Sequence, residues 1–195
     1  MIFSSTEMER AVTDFGDGAV LLPIFAVSII LFAAFGWMRG AVTWGALSGT
    51  ALAILMLAKL MGLEWAYLFD NSARALSVSG HVSAGSAIYG SLVNFLIFRK
   101  RMNFFAYLPV PILVACTLSY TRLILHTHTP AEVALGGILG VSIALISSRI
   151  LIPMPARLII PTLAIMLIVI VSFYGEHSHT ETFLQSQFSA WSPDL

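Results

Sequence analysis

Long apolar runs alternate with brief polar interruptions along this chain. A bilayer core needs about 20 mostly apolar residues per helix. Runs of about that length cover roughly 19–37, 41–61, 82–98, 104–121, 131–151 and 156–174, the third being the shortest. The pattern predicts an all-α integral membrane bundle of six transmembrane helices. There is no internal repeat, low-complexity segment or long linker. A single domain over residues 1–195 is expected, with an outer-face N-terminal segment at 1–18 and an outer-face interfacial tail at 175–195.

Two polar words break the pattern, each just ahead of an apolar run. The first is S-V-S-G-H at 77–81. The second is T-R-L-I-L-H-T-H-T-P-A-E at 121–132. Polar and ionisable groups beside hydrocarbon are costly, and they usually mark function.

Composition supports the membrane reading. Of 195 residues, 58% are hydrophobic and 10% charged, and mean hydropathy is +0.89. A soluble domain usually carries about 25% charged residues. The formal net charge is zero, so nucleic acid is not an expected partner. The single cysteine, Cys116, lies in an apolar run, so neither an intrachain disulfide framework nor a Cys-rich metal site is expected. The first eighteen residues carry four acids and one arginine, the reverse of a basic signal-peptide start. No cleavable signal peptide is therefore expected.

The charges predict an orientation. Six of the ten basic residues flank three short connections: Arg39, then Arg99-Lys100-Arg101, then Arg149 and Arg157. The positive-inside rule places those connections in the cytoplasm. All ten acidic residues then fall on the opposite side. Both termini, the 62–81 connection and the turn at 122–130 face outward. The two polar words share that face, although neither was used to assign it.

In the second word, Thr129-Pro130-Ala131-Glu132 reads as a helix start. Thr129 suits the N-cap, Pro130 the first helical position, and Glu132 the third place of a capping box. A helix N-terminus with free N–H groups favours phosphate. Glu132 lies four residues after His128, within reach of the imidazole. A carboxylate on one ring nitrogen fixes the tautomer and leaves the other as a nucleophile. Arg122 ends the preceding span, and its guanidinium matches phosphate oxygens. In the first word, Ser79 suits an N-cap and offers a hydroxyl to an anion. Gly80 permits close backbone approach, and His81 suits a general acid. Plainer readings stand beside these. Glu132 can be a cap alone, Arg122 a snorkelling interfacial arginine, and the histidines polar trim. The pairs H-T-H (His126, His128) and H-S-H (His177, His179) invite a zinc reading. His126 is expected instead to neighbour the pocket. His177 and His179 fall in a tail whose Phe183, Phe188 and Trp191 suit headgroup anchors.

Together the two words resemble the membrane type 2 phosphatidic acid phosphatase superfamily, whose soluble relatives include vanadium haloperoxidases. That family carries a lysine followed at a distance by Arg-Pro, then P-S-G-H, then S-R-(five residues)-H-(three residues)-D. Here V-S-G-H at 78–81 is similar to the second motif. Arg122, His128 and Glu132 keep the spacing of the third. T-D-F-G-D-G-A at 13–19 resembles the opening of some short bacterial members. The resemblance implies His128 as a nucleophile giving a phosphohistidine, Glu132 as its orienting residue, and His81 as proton donor to the leaving group. Arg122, Ser79 and Gly80 would hold phosphate, with no metal and no cofactor. The departures are specific. No Arg-Pro occurs anywhere; Lys59 and Arg74 are the candidates for the first motif. Val78 replaces proline, Thr121 serine, and Glu132 aspartate.

The expected function is therefore metal-independent hydrolysis of a lipid phosphate or pyrophosphate monoester. Substrates of the phosphatidate, phosphatidylglycerophosphate or polyprenyl pyrophosphate type would present the same terminal group. Membrane lipids are the other expected partners. The expected location is the bacterial inner (cytoplasmic) membrane, with the site open to the periplasm or outside. The competing reading is a catalytically weakened or inactive lipid-phosphate binder of the same fold. A transporter is disfavoured because the polar words lie at helix ends rather than mid-span. His81, Arg122 and His128 are expected around one phosphate, with Lys59 or Arg74 beside it.

Overall fold

The computed structural model describes residues 12–68 and 78–176, with side chains described for 12–61 and 78–176. Among the described residues there is no strand. The long helices are α1 Gly18–Ala34, α2 Met38–Leu68, α3 Gly80–Ile97, α4 Pro109–Ile124, α5 Pro130–Leu151 and α6 Ile159–Phe173. Short 3-10 turns at Phe104–Tyr107 and Ala156–Leu158 lead into α4 and α6.

Five described segments are long and apolar enough to cross a membrane: Val12–Ala34, Met38–Met61, Phe104–Ile124, Pro130–Leu151 and Ala156–Phe173. The chain is a multi-pass membrane protein. The third predicted span forms a helix, α3, but is not among the five. Gly80, Gly85 and Gly90, with Ser83, Ser86, Ser91 and Asn94, dilute its apolar content. Its position explains how that composition is tolerated. Most of α3 is buried, chiefly against α5 and α4, with α2 and α1 completing the cover. A helix that faces protein rather than lipid can carry hydroxyls and amides if they find partners. The Ser86 and Ser91 hydroxyls donate to carbonyls of their own helix. Asn94 Nδ2 donates to Tyr107 O and Ser148 Oγ, each at 3.0 Å.

Glycines set the close approach of α5 to α3. A Cβ at Gly136 would lie 2.8 Å from Ser79 O, and one at Gly140 would overlap Ser83 O and Ser86 Oγ. The start of α3 is thereby held on the start of α5, where the Ser79 N–H donates to Glu132 O at 3.2 Å. Farther along, the indole of buried Trp44 on α2 packs against Phe25 and Phe32 of α1 and donates to Ser91 Oγ at 2.7 Å.

Boundaries depart from the apolar runs in two places. The first run extends to 37, but α1 stops at Ala34. Gly36, at φ 74°, then closes the helix: its N–H donates to Ala33 O and that of Trp37 to Phe32 O. This is a Schellman closure. The second run ends near 61, yet α2 continues to Leu68, so the expected 62–81 connection begins as helix. Leaving hydrocarbon does not by itself end a helix, and 62–68 holds no proline.

The basic connections lie at the end of the bundle opposite the two polar words. Arg99, Lys100 and Arg101 follow the C-terminus of α3, whose N-terminus carries His81. Arg101 Nε donates to Ile152 O at 3.2 Å, and Arg149 reaches toward Met102 O. Arg157 lies against the Gly36 turn.

Two glycines of α5 test this packing. Gly140→Ala places a methyl on the Ser83 carbonyl, which cannot yield, and is expected to destabilise by about 1–3 kcal/mol. Gly137→Ala makes only ordinary contacts with Ala115 and Val82. It is expected to be neutral or stabilising by up to about 1 kcal/mol. Thermal unfolding in detergent measures both; equal effects would refute the close-approach account.

Candidate active site

The second polar word forms the turn from α4 into α5. Arg122 sits in the last turn of α4. Beyond the cap residue Leu125, His126 adopts φ 51°, in the left-handed region. The His126 N–H donates to Leu123 O and the Thr127 N–H to Arg122 O, both at 3.1 Å. This repeats the closure at Gly36, with a histidine in the glycine's place. His126 is exposed. Its part here is to turn the backbone.

Thr129 then caps α5, and the predicted capping box is present. Thr129 Oγ1 accepts from Glu132 N at 3.4 Å, and Glu132 Oε2 accepts from Thr129 N at 2.8 Å. The same Oε2 lies 3.2 Å from His128 Nδ1. The cap and the imidazole partner are thus one carboxylate, and its side chain is 1% exposed. With Nδ1 turned to Glu132, Nε2 is the remaining nitrogen of a largely buried ring.

The first word starts α3 beside this turn. Ser79 occupies the N-cap, but its side chain makes no capping bond. Its hydroxyl is fully buried and has no hydrogen-bond partner among the described residues. A buried unsatisfied hydroxyl calls for an explanation, and a bound anion would supply one. Gly80 faces the stem of Lys59, whose Cε would lie 3.9 Å from a Cβ at Gly80. Lys59 and Arg122 are both near enough to act electrostatically on His81.

One participant was not read from the sequence as a site residue. Asp17 Oδ2 lies 3.5 Å from His81 Nε2, at ion-pair distance. Asp17 Oδ1 meanwhile caps α1, accepting from Ala19 N at 2.8 Å. Two helices, α1 and α2, separate Asp17 from His81 in the chain. The available signal was an acid placed directly before a long apolar helix.

The geometry falls into two linked groups. His128 and Glu132 stand at the start of α5. His81 stands at the start of α3 with Asp17, Lys59 and Arg122 about it. The backbone bond from Ser79 to Glu132 joins the two starts. Arg74, His177 and His179 lie outside the described residues. Among the described residues, no three His, Cys, Asp or Glu side chains gather as a metal-binding set.

Residues 63–153 match the family model of the PAP2 superfamily. The match contains both polar words but neither Lys59 nor Asp17, which come to the matched segment from α2 and from the start of α1. No curated protein and no solved structure matches the chain.

The left-handed turn residue gives a direct test. A non-glycine residue in that region costs about 1–2 kcal/mol, partly offset by the chain entropy glycine loses on folding. His126→Gly is expected to stabilise by up to about 1 kcal/mol, read as a raised unfolding midpoint in detergent. A lowered midpoint would mean that the imidazole carries packing of its own.

Proposed function

We propose that this protein is a membrane phosphatase that hydrolyses a lipid phosphate or pyrophosphate monoester through a phosphohistidine intermediate. The observation that carries the reading is His128, with Nδ1 on the buried Glu132 carboxylate and its ring at the start of α5. The match to the PAP2 superfamily model independently supports phosphatase-type activity. The glutamate is one methylene longer than the family's aspartate, yet it reaches the ring at 3.2 Å.

In this reading residues 1–195 act as one domain, and all of α1 to α6 cross a bacterial inner membrane, with α3 sheltered by the others. The basic connections lie in the cytoplasm and the site opens outward. An amphiphile then places its phosphate at the helix starts while its chains stay in lipid. Phosphatidate, phosphatidylglycerophosphate and polyprenyl pyrophosphate types all fit that description.

The chemistry follows in two steps. His128 Nε2 attacks phosphorus in line, forming a nitrogen–phosphorus bond as the bond to the leaving oxygen breaks. His81, as imidazolium, donates its proton to that oxygen. Water then attacks the phosphohistidine, giving a proton to the now neutral His81. Inorganic phosphate leaves and both histidines return to their starting states. Arg122, the Ser79 hydroxyl, the Gly80 N–H and Lys59 hold the phosphate oxygens, with Arg74 as a further candidate. Preorganised donors of this kind stabilise charge as it develops.

Phosphate release from a panel of lipid phosphates and pyrophosphates in detergent tests this. His128→Ala is expected to lose on the order of a thousandfold or more. His81→Ala is expected to lose on the order of a hundredfold or more. A quenched wild-type reaction should carry an acid-labile, base-stable phosphoryl group that His128→Ala lacks. If the wild type matched His128→Ala throughout, the competing reading, a noncatalytic lipid-phosphate binder, would replace this one.

A further inference from the structure

The residues just before α1 form a short strap fastened to two helices of the site. Thr13 Oγ1 and Thr121 Oγ1 share a hydrogen bond at 3.0 Å, tying the strap to α4 next to Arg122. The Tyr89 hydroxyl of α3 donates to Phe15 O at 2.9 Å. The Phe15 ring also packs on Tyr174, beyond α6, at 5.2 Å. Gly16 lies so close that a Cβ would sit 3.0 Å from Leu118 and 3.4 Å from the His81 side chain. Within the strap, the Gly16 N–H donates to Thr13 O and that of Asp17 to Asp14 O. The carboxylate of Asp17 is therefore delivered to His81 by backbone that is itself held on α3 and α4.

A helix cap alone does not account for this arrangement. Capping takes one oxygen, and serine, threonine or asparagine would serve as well. Asp17 is buried and turns its second oxygen to His81 Nε2. A buried carboxylate needs a compensating partner. The charged groups acting on His81 are Asp17 from the start of α1, Lys59 from α2 and Arg122 from α4. Burial of the ring opposes a positive imidazolium most, and the two cations add to that, so the proton affinity of His81 lies below that of a free imidazole. Among the described charged groups acting on the ring, Asp17 is the one that works against this lowering.

We infer that Asp17 is a positioning residue for His81, orienting that imidazole and supporting its charged form so that its proton reaches the leaving oxygen. The inference rests on the phosphatase reading above. Asp17 touches neither substrate nor phosphorus. It holds one ring nitrogen and leaves the other to the leaving group, as Glu132 does for His128. The structure thus contains two carboxylate–histidine pairs, with opposite tasks. One sets a neutral ring in the tautomer that attacks; the other orients the ring that gives up a proton and eases its charging.

Asp17→Asn tests it in the full-length protein, because asparagine preserves both shape and cap. Two readouts are taken. The first is the pH profile of kcat/KM for lipid phosphate hydrolysis. The carboxylate raises the proton affinity of His81, so its loss should move the alkaline limb to lower pH by about one unit or more. Activity on the alkaline side of the wild-type limb then falls by about tenfold or more, while activity well to the acid side of it changes far less. The second is the NMR titration of the His81 ring in histidine-labelled protein, assigned by its loss in His81→Gln. Its midpoint should fall by a similar amount. Both must move for the inference to stand. A profile merely scaled down at every pH, as general structural damage would give, overturns it. So does an unchanged His81 midpoint. A wild type with no turnover instead removes the phosphatase reading, and with it the purpose assigned to the pair; the titration then decides only whether the two groups interact.

Discussion

The close approach of α5 to α3 is the constraint on which the rest of the arrangement depends. Gly136 and Gly140 present bare backbone to Ser79, Ser83 and Ser86, so the two helices meet with nothing larger than a serine side chain between them. At that separation the Ser79 N–H reaches the Glu132 carbonyl, and the two polar words become neighbours. Any larger spacing would strand an N–H at the start of α3 in a buried place, a cost of about 1–3 kcal/mol. Contact with protein also lets α3 carry serines and an asparagine at membrane depth. It tolerates that composition because it is the helix the others enclose.

Glutamate at 132, which looks like a departure from the family pattern, gains a rationale from the same local geometry. A capping box needs a third-position side chain long enough to reach back to the N-cap N–H. Glu132 does so at 2.8 Å and meets His128 with the same oxygen at 3.2 Å. The structural and the chemical readings of this residue are therefore not rivals. The hydrogen bond that secures the helix start also fixes the carboxylate against the ring, so disturbing the cap would disturb the imidazole.

Much of this could be read from residue order, for reasons that differ between elements. The apolar runs gave α1, α2, α4, α5 and α6 because lipid-facing helices must be apolar almost all round. The capping box was legible because its four residues are contiguous. Other features were hidden. The end of α1 moved because Gly36 takes a left-handed turn inside what reads as an apolar run. The left-handed backbone of His126 carries no such mark, since histidine seldom adopts it. The role of α3 as an enclosed helix depends on neighbours that only tertiary packing supplies. The contact of Asp17 with His81 joins residues distant in sequence, and no spacing rule reaches across that separation.

The two carboxylate–histidine pairs differ in what maintains them. His128 and Glu132 are one turn apart at the start of a single helix, so they move together, and shifts between helices leave their geometry intact. His81 and Asp17 belong to different helices, and their separation is only as constant as the docking of the strap. Thr13, Tyr89 and Gly16 hold that docking through polar and close backbone contacts rather than through a large apolar surface. The exposed Tyr89 fastening competes with water more directly than the buried bond between Thr13 and Thr121 does. A disturbance that spares the fold and loosens the start of α1 therefore reaches His81 before it reaches His128, and in the proposed mechanism proton delivery is the step whose geometry is most exposed to it.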